Sequence, residues 1–426
     1  MNAVRFFSLT KFNKNMDSRK KPNIKVPQGF ELFFNSITGN WALRPIKGYS
    51  ANYIRKDTFV PKQTNESIQN ESNTENKSKN TNLGKARNRK NDEFYTRLED
   101  ITAEMQHYKQ YFSGKVIYCP CDKLFNVGRS NFGRYFLGKF HSLGIKKFIC
   151  TQYNPNGFGV AKEYDFEKCG IKWEYNGEKA DGDFIDESEI DTYFLKGDGS
   201  FDSPECREIM RNCDIVVTNP PFSLFRKFLA QIMEFDKKFI ILGNMNALTY
   251  KEVFPLIKEN KIWLGYRNLG SDMFFEITDE YKKVIVKEKK EGSGWKEIDG
   301  EVMGRAANAC WYTNLEHTKR KEKIYLDKTY NPTDYPKYDN YDAINVNRLE
   351  DIPKDYDGVM GVPITYLGKY NPNQFELIWT SDRGGDGMIE NIKIPDADRY
   401  DAPSINGNGV YKRVFIRKIS ELPTEE

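Results

Sequence analysis

Four consecutive residues, Asn219-Pro220-Pro221-Phe222, carry the strongest chemical signal in the sequence. They follow directly on Asp214-Ile215-Val216-Val217-Thr218, an apolar run that reads as a buried strand. Proline fixes its own φ and biases the residue before it toward extended geometry, so the tetrapeptide has little freedom. The missing proline N–H groups leave carbonyls available to accept from a ligand. The side-chain oxygen of Asn219 and the carbonyl of Pro220 can then face one amino group, and Phe222 offers a stacking surface. Together they form a receptor for a planar ring bearing an exocyclic –NH2. The same residues also suit a rigid strand-to-helix turn, since proline fits a first helical turn. Their place just after an apolar strand favours the receptor.

The elements that must position this motif alternate between strand and helix. Residues 116–119 and 147–151 read as short buried strands, with a helical period over 131–143 between them. After the strand 214–218 come a helical pattern over 224–234, a strand at 239–242 and a helical stretch at 250–259. Such alternation predicts an α/β fold with a mostly parallel sheet and helices on both faces. Ligands of such sheets bind beyond the carboxyl ends of the strands, where Asn219 stands. The polar stretch 282–296, with Gly292-Ser293-Gly294 inside it, reads as a loop or hairpin. Beyond residue 310 only 410–419, VYKRVFIRKI, is a clear strand.

Length and composition set the wider bounds. The 426 residues suffice for two or three domains, and 38% hydrophobic content can build a sizeable core. The net charge of +4 is too small to demand a polyanionic partner by itself. No apolar run approaches the roughly 20 residues that span a bilayer, and the N-terminus lacks the pattern of a secretory signal. Seven scattered cysteines argue against a disulfide scaffold, so the chain reads as soluble, intracellular and cytoplasmic. Residues 1–61 form an N-terminal extension with a small aromatic module, in which two strands are expected around Thr38-Gly39-Asn40. Residues 62–91 read as a disordered polar and basic linker. Its basic run at 85–90 is either a solvated linker end or an ordered arm that contacts phosphate. Cys119 and Cys121 form a C-x-C pair with no second pair or nearby histidine, so no metal is expected. His107, His141 and His317 are widely spaced and read as structural or exposed.

The Asn-Pro-Pro-Phe motif resembles that of S-adenosylmethionine-dependent methyltransferases acting on amino groups of adenine, cytosine or glutamine. The chain is most similar to the EcoRI-type adenine-specific DNA methyltransferases, through a series of segments in order. These are Asp92-Glu93-Phe94-Tyr95-Thr96, Tyr118-Cys119-Pro120-Cys121-Asp122, Gly197-Asp198-Gly199-Ser200-Phe201 and residues 215–226, IVVTNPPFSLFR. They continue with Asn246-Ala247-Leu248-Thr249-Tyr250, with 335–346 (YPKYDNYDAINV) and with 358–365 (GVMGVPIT). The resemblance covers about residues 85–420, leaving 1–84 outside it.

The resemblance implies a Rossmann-like catalytic domain over 92–280 and a C-terminal DNA target-recognition region over 281–426. Residues 92–96, with Tyr95 and Thr96, look like the segment that closes over the methionine end of S-adenosyl-L-methionine. Cys119, Pro120, Cys121 and Asp122 stand where the wider class has a Gly-rich loop; no G-x-G occurs here. Asp198 resembles the acidic residue near the cofactor adenine or ribose. Thr151-Gln152-Tyr153-Asn154 occupies the place of the usual acidic residue after the second strand. Asn219 would border the cofactor and, with Pro220 and Phe222, hold an adenine flipped from double-stranded DNA. The expected function is site-specific adenine methylation by a monomer, in a restriction-modification system or as an orphan or phage enzyme. An RNA or protein-glutamine methyltransferase is the nearest rival, and a cofactor-free DNA-binding module a second. Base reading is expected from the C-terminal region around Lys412, Arg413, Arg417 and Lys418.

Overall fold

An antiparallel pair comes first among the described residues, where β1 (Phe30–Asn35) runs against β2 (Asn40–Pro45) with Asn35 opposite Asn40. It matches the two strands read around residues 38–40. The computed structural model describes residues 30–35, 40–45, 94–124, 130–154, 169–177, 185, 189–267, 272–306, 308–381 and 403–419. The linker expected over 62–91, its basic run, Asp92 and Glu93 lie outside these residues.

From β3 (Tyr95–Thr96) the chain enters α1 (Leu98–Met105), which buries Ile101 and Met105 one helical turn apart. β4 (Val116–Pro120) precedes α2 (Asn131–Gly138), started by Ser130, whose Oγ accepts the Phe132 amide at 3.1 Å. The apolar period predicts helix as far as residue 143. Helix α2 stops at Gly138, a poor helix former, and the next residues turn back toward β5 (Lys147–Gln152). β6 (Ile171–Tyr175) and β7 (Asp191–Phe194) follow, then α3 (Pro204–Asn212), with Pro204 in its first turn. β8 (Ile215–Thr218), α4 (Phe225–Glu234) and β9 (Lys238–Asn244) come next. The helix read over 250–259 is confined to α5 (Phe254–Lys258), because Tyr250 is extended and Pro255 must sit in a first turn.

After β10 (Trp263–Leu264) the chain makes an excursion through β11 (Met273–Glu276), α6 (Asp279–Glu288), β12 (Trp295–Ile298) and β13 (Glu301–Ala306). The stretch read as a loop or hairpin over 282–296 is therefore helical up to Glu288. Thr278 caps that helix by accepting the Tyr281 amide at 3.3 Å, and buried Ile285 pins it. Only the second half, beyond the glycines, is a hairpin.

With β14 (Ala309–Thr313) the chain returns to an eight-stranded central sheet of order β10-β14-β9-β8-β4-β5-β6-β7. The sheet thus runs on past residue 280, where the division between regions was expected. Parallel pairing joins only β9, β8, β4 and β5, and the outer strands pair antiparallel. The parallel sheet read from the sequence is this inner half. Strand–helix alternation reveals strands joined by crossover helices, whereas β6 and β7 pair antiparallel.

Side chains alternate along the inner strands. Tyr118, Ile149, Val216 and Ile241 pack in one core with Met210 of α3 and Phe225, Phe228 and Ile232 of α4. Ile117, Phe148, Val217 and Ile240 pack in the other with Ile101, Met105, Phe132 and Phe136. Helices therefore cover both faces. A second sheet, of order β12-β13-β11-β3, carries β3 as its edge strand. A third, from β15 (Ile344–Asn345), β16 (Met360–Pro363), β17 (Phe375–Thr380) and β18 (Arg413–Lys418), has the order β15-β16-β18-β17. Its Ile344, Met360, Leu377 and Ile416 join the same core as α4, so it is welded to the central sheet. Among the described residues no helix is long and apolar enough to cross a membrane.

Helix α4 lies close on the sheet because Gly243 presents no side chain: a Cβ there would strike the Phe225 ring. Gly243→Ala is expected to destabilise the fold by about 1–3 kcal/mol through overpacking, read from urea unfolding.

Candidate active site

Chain direction across the sheet reverses between β4 and β8. The crossover from β4 leads to β5 on one side, and β8 leads to β9 on the other. The crevice beyond the carboxyl ends of strands at such a point is the natural ligand site. Two segments singled out in the sequence meet there: the end of β4 with Cys121 and Asp122, and Asn219-Pro220-Pro221-Phe222 leaving β8.

The Thr218 hydroxyl ties the two together, lying 2.5 Å from the Pro120 carbonyl and 3.0 Å from Asp122 Oδ2. A hydroxyl has one proton, and the carbonyl can only accept it. The single Thr218 proton is therefore shared between the Pro120 carbonyl and Asp122 Oδ2. Burial pushes the pKa of Asp122 up to about 7, against the opposing pull of hydrogen bonds with Ser130 and Thr218. Its backbone is fixed as well, the Asp122 amide donating to the Thr151 carbonyl at 3.0 Å. Cys121 adopts a φ of 63°, the left-handed region that favours glycine. The tight turn that a Gly-rich loop would make is here made by a cysteine.

Asn219 is oriented from across the crevice. Its Nδ2 donates to the Phe94 carbonyl at 2.8 Å, between residues 125 apart in sequence. A carbonyl cannot donate, so this contact decides which way the amide points and leaves Oδ1 on the other side. The Pro221 carbonyl accepts from the Leu224 amide at 2.9 Å, whereas no described group donates to that of Pro220. Pro220 is buried, and Phe222 is half-buried against the core that holds α2. The Phe94 ring is held edge-on by Phe275 and Tyr281, with centroids 5.8 and 5.9 Å away. Two residues on, Thr96 is 3% exposed, and its Oγ1 has no hydrogen-bond partner among the described residues.

Asp198 follows β7 in the chain and lies beside the residues that leave β5. Its carbonyl accepts the Asn154 amide at 2.7 Å, and its Oδ1 accepts the Ser200 amide at 2.9 Å. Gly199 makes this approach possible, with a φ of 77° and no Cβ to strike the Gln152 carbonyl. The turn thus brings an acid to the place where the sequence after the second strand offers none.

Other predicted residues have plainer surroundings. Cys119 is fully buried in the core around α2, and burial pushes its thiol and that of Cys121 well up. Among the described residues no group of three or more His, Cys, Asp or Glu side chains is placed to hold a metal. His107 stacks on Tyr266, and a His317 ring nitrogen lies 2.9 Å from the Leu264 carbonyl. Arg413 is 7% exposed, bonding Asn345, Asn347 and the Tyr411 carbonyl. Arg417 pairs loosely with Glu376, and Lys418 with Asp357. Sequence reasoning missed Thr218, Ser130 and the role of the Phe94 carbonyl. A helix-start pattern marks Ser130, but nothing local marks a backbone acceptor that acts 125 residues away.

The family model for the adenine-specific methyltransferase EcoRI matches residues 82–419. The chain belongs to this family. The Type II methyltransferase M.EcoRI of Escherichia coli is 44% identical over 337 residues, covering 79% of this chain and 95% of that protein. M.MpnI of Mycoplasma pneumoniae is 37% identical over 298 residues, 70% of this chain and 84% of the relative. M.MgeORF184P of Mycoplasma genitalium is 33% identical over 341 residues, covering 79% and 98%. No solved structure gives a significant match. As a member of the EcoRI family, the protein is an adenine-specific DNA methyltransferase.

Asp122 makes this enzyme's stability depend on pH. A carboxyl raised above its ordinary value of about 4 takes up a proton on folding, so stability falls as pH rises from there through the folded value of about 7. Asp122→Asn is expected to gain stability relative to wild type between about pH 5 and about pH 8 in urea unfolding. An equal difference at both pH values would contradict the raised carboxyl.

Proposed function

We propose that the crevice between β4 and β8 receives S-adenosyl-L-methionine and an adenine flipped out of double-stranded DNA. Asn219, Pro220 and Phe222 hold that adenine for direct methyl transfer to its amino nitrogen. The observation that carries this reading is the hydrogen bond from Asn219 Nδ2 to the Phe94 carbonyl. With the amide nitrogen engaged there, Asn219 Oδ1 and the Pro220 carbonyl remain as two acceptors for the two hydrogens of one amino group.

The adenine amino nitrogen is a poor nucleophile, because its lone pair is delocalised into the ring. Two acceptors on its hydrogens favour a more tetrahedral nitrogen and stabilise the positive charge that develops there. Holding that nitrogen in one orientation would supply a further part of the rate. A base in the duplex cannot reach these groups, so it must leave the stack, and Phe222 is the ring on which we place it.

S-adenosyl-L-methionine supplies an electrophilic methyl group on a sulfonium sulfur. The residues present fit it: the buried Thr96 hydroxyl lacks a partner among the described residues, as a group reserved for a ligand would. Tyr95 and Thr96 would hold its methionine end, and Cys119, Pro120, Cys121 and Asp122 the turn beneath it. Asp198 would hold the adenosine end, with Asn219 beside the methyl group. The Cys119 thiol is core, which leaves only its backbone for the cofactor.

The parallel strands around the β4–β8 reversal support reading the catalytic region as Rossmann-like. We assign target recognition to the C-terminal region built around β15 to β18. Because its relatives are Type II methyltransferases, the chain is proposed to serve a restriction-modification system, or an orphan or phage counterpart, as a cytoplasmic monomer.

Transfer of labelled methyl from S-adenosyl-L-methionine to unmethylated DNA, with the product nucleoside identified, tests the assignment. Label in methyladenine should fall at least about 100-fold with Asn219→Ala. Asn219→Asp, whose carboxylate would oppose the Phe94 carbonyl, should lose about 10–100-fold. Full activity of Asn219→Ala, or label confined to RNA or protein, would overturn it.

A further inference from the structure

We infer that Asn131 is a positioning residue for methyl transfer, which holds residues 94–96 where the Phe94 carbonyl can orient Asn219. The inference rests on the roles just proposed for Asn219 and Thr96.

Asn131 is the first residue of α2 and is 2% exposed. Its Nδ2 donates to the Thr96 carbonyl and to Glu276 Oε1, each at 2.9 Å. Its Oδ1 accepts from Arg134 at 2.9 Å. Both amide protons are thus used, and one side chain joins a helix of the central sheet to two strands of the second sheet. The helix does not need that side chain for its start, because Ser130 already caps it.

β3 does need it. This strand has two residues, and its ladder consists of Thr96 opposite Phe275 and Tyr95 opposite Glu276. So short an edge pairing fixes register weakly. Asn131 grips the strand at one end, at the Thr96 carbonyl, and Asn219 meets it at the other, at the Phe94 carbonyl. Glu276 is the residue paired with Tyr95, so the grip reaches both partners of that pair. A shift of Thr96 passes through two stiff peptide units to Phe94 and from there to the Asn219 amide. A misplacement of about 1 Å at reacting groups costs about 100-fold in rate.

The test compares Asn131→Ala, Asn131→Asp and the double variant Asn131→Asp/Glu276→Gln. In the double variant the new amide can donate to the new carboxylate, which rejoins α2 to β11, while a carboxylate still opposes the Thr96 carbonyl. We expect kcat to fall about 10–100-fold in all three, with KM for DNA within about threefold of wild type. The thermal midpoint, lowered in the single variants, should recover in the double variant. Recovery of kcat together with stability would make Asn131 a merely structural link and overturn the inference. So would single variants that keep kcat within about threefold of wild type. Asn219→Ala is run alongside: if it stays active the site assignment fails, and if it alone is inactive only the role of Asn131 fails.

Discussion

The hydrogen bond between Asn219 and the Phe94 carbonyl is the constraint on which the rest of the structure depends. A single bond of this kind contributes about 0.5–1.5 kcal/mol net, too little to hold two chain segments in place. Both ends must therefore be delivered by rigid neighbours. Asn219 is delivered by β8, whose four residues are all buried, and by the two prolines that follow. Phe94 is delivered by the second sheet and helix α6, whose Phe275 and Tyr281 grip its ring. The large excursion between β10 and β14 places one carbonyl oxygen.

The floor of the crevice solves a different problem. A backbone that must turn sharply under a ligand is ordinarily made of glycine. Here Cys121 takes the left-handed conformation, and the neighbouring Asp122 locks it through its backbone, Thr218 and Ser130. Strain of roughly 1–3 kcal/mol at such a residue persists only where the surroundings over-determine it. The buried carboxyl adds a cost above its pKa, so this turn is stiff at the expense of stability.

Much of this was legible in the sequence, and the limits have physical causes. The inner strands announced themselves as apolar runs, and Asn219-Pro220-Pro221-Phe222 as a motif with few conformations. The chain's resemblance to its family rested on short segments in order, and the match over 82–419 agrees with it. The outer strands were not legible, because β6, β7, β10 and β14 pair antiparallel and so break the regular alternation of the inner strands. Helix α6 hid behind its charge: Lys282 pairs with Glu301, and only Ile285 shows the buried face. Arg413, grouped by sequence with exposed basic neighbours, is a buried hub, since spacing alone does not tell a solvated charge from one held by carbonyls and amides.

The edge position of β3 has a consequence for how the protein matures. Residues 94–96 leave the ribosome early, yet their ladder partners Phe275 and Glu276 lie some 180 residues downstream. Long-range pairing of this sort forms late, after the loop between the partners has closed. A chain that ends before β11 lacks the strand that pairs with β3. The Phe94 carbonyl is therefore set in place only after synthesis has passed β11, about two-thirds of the way along the chain.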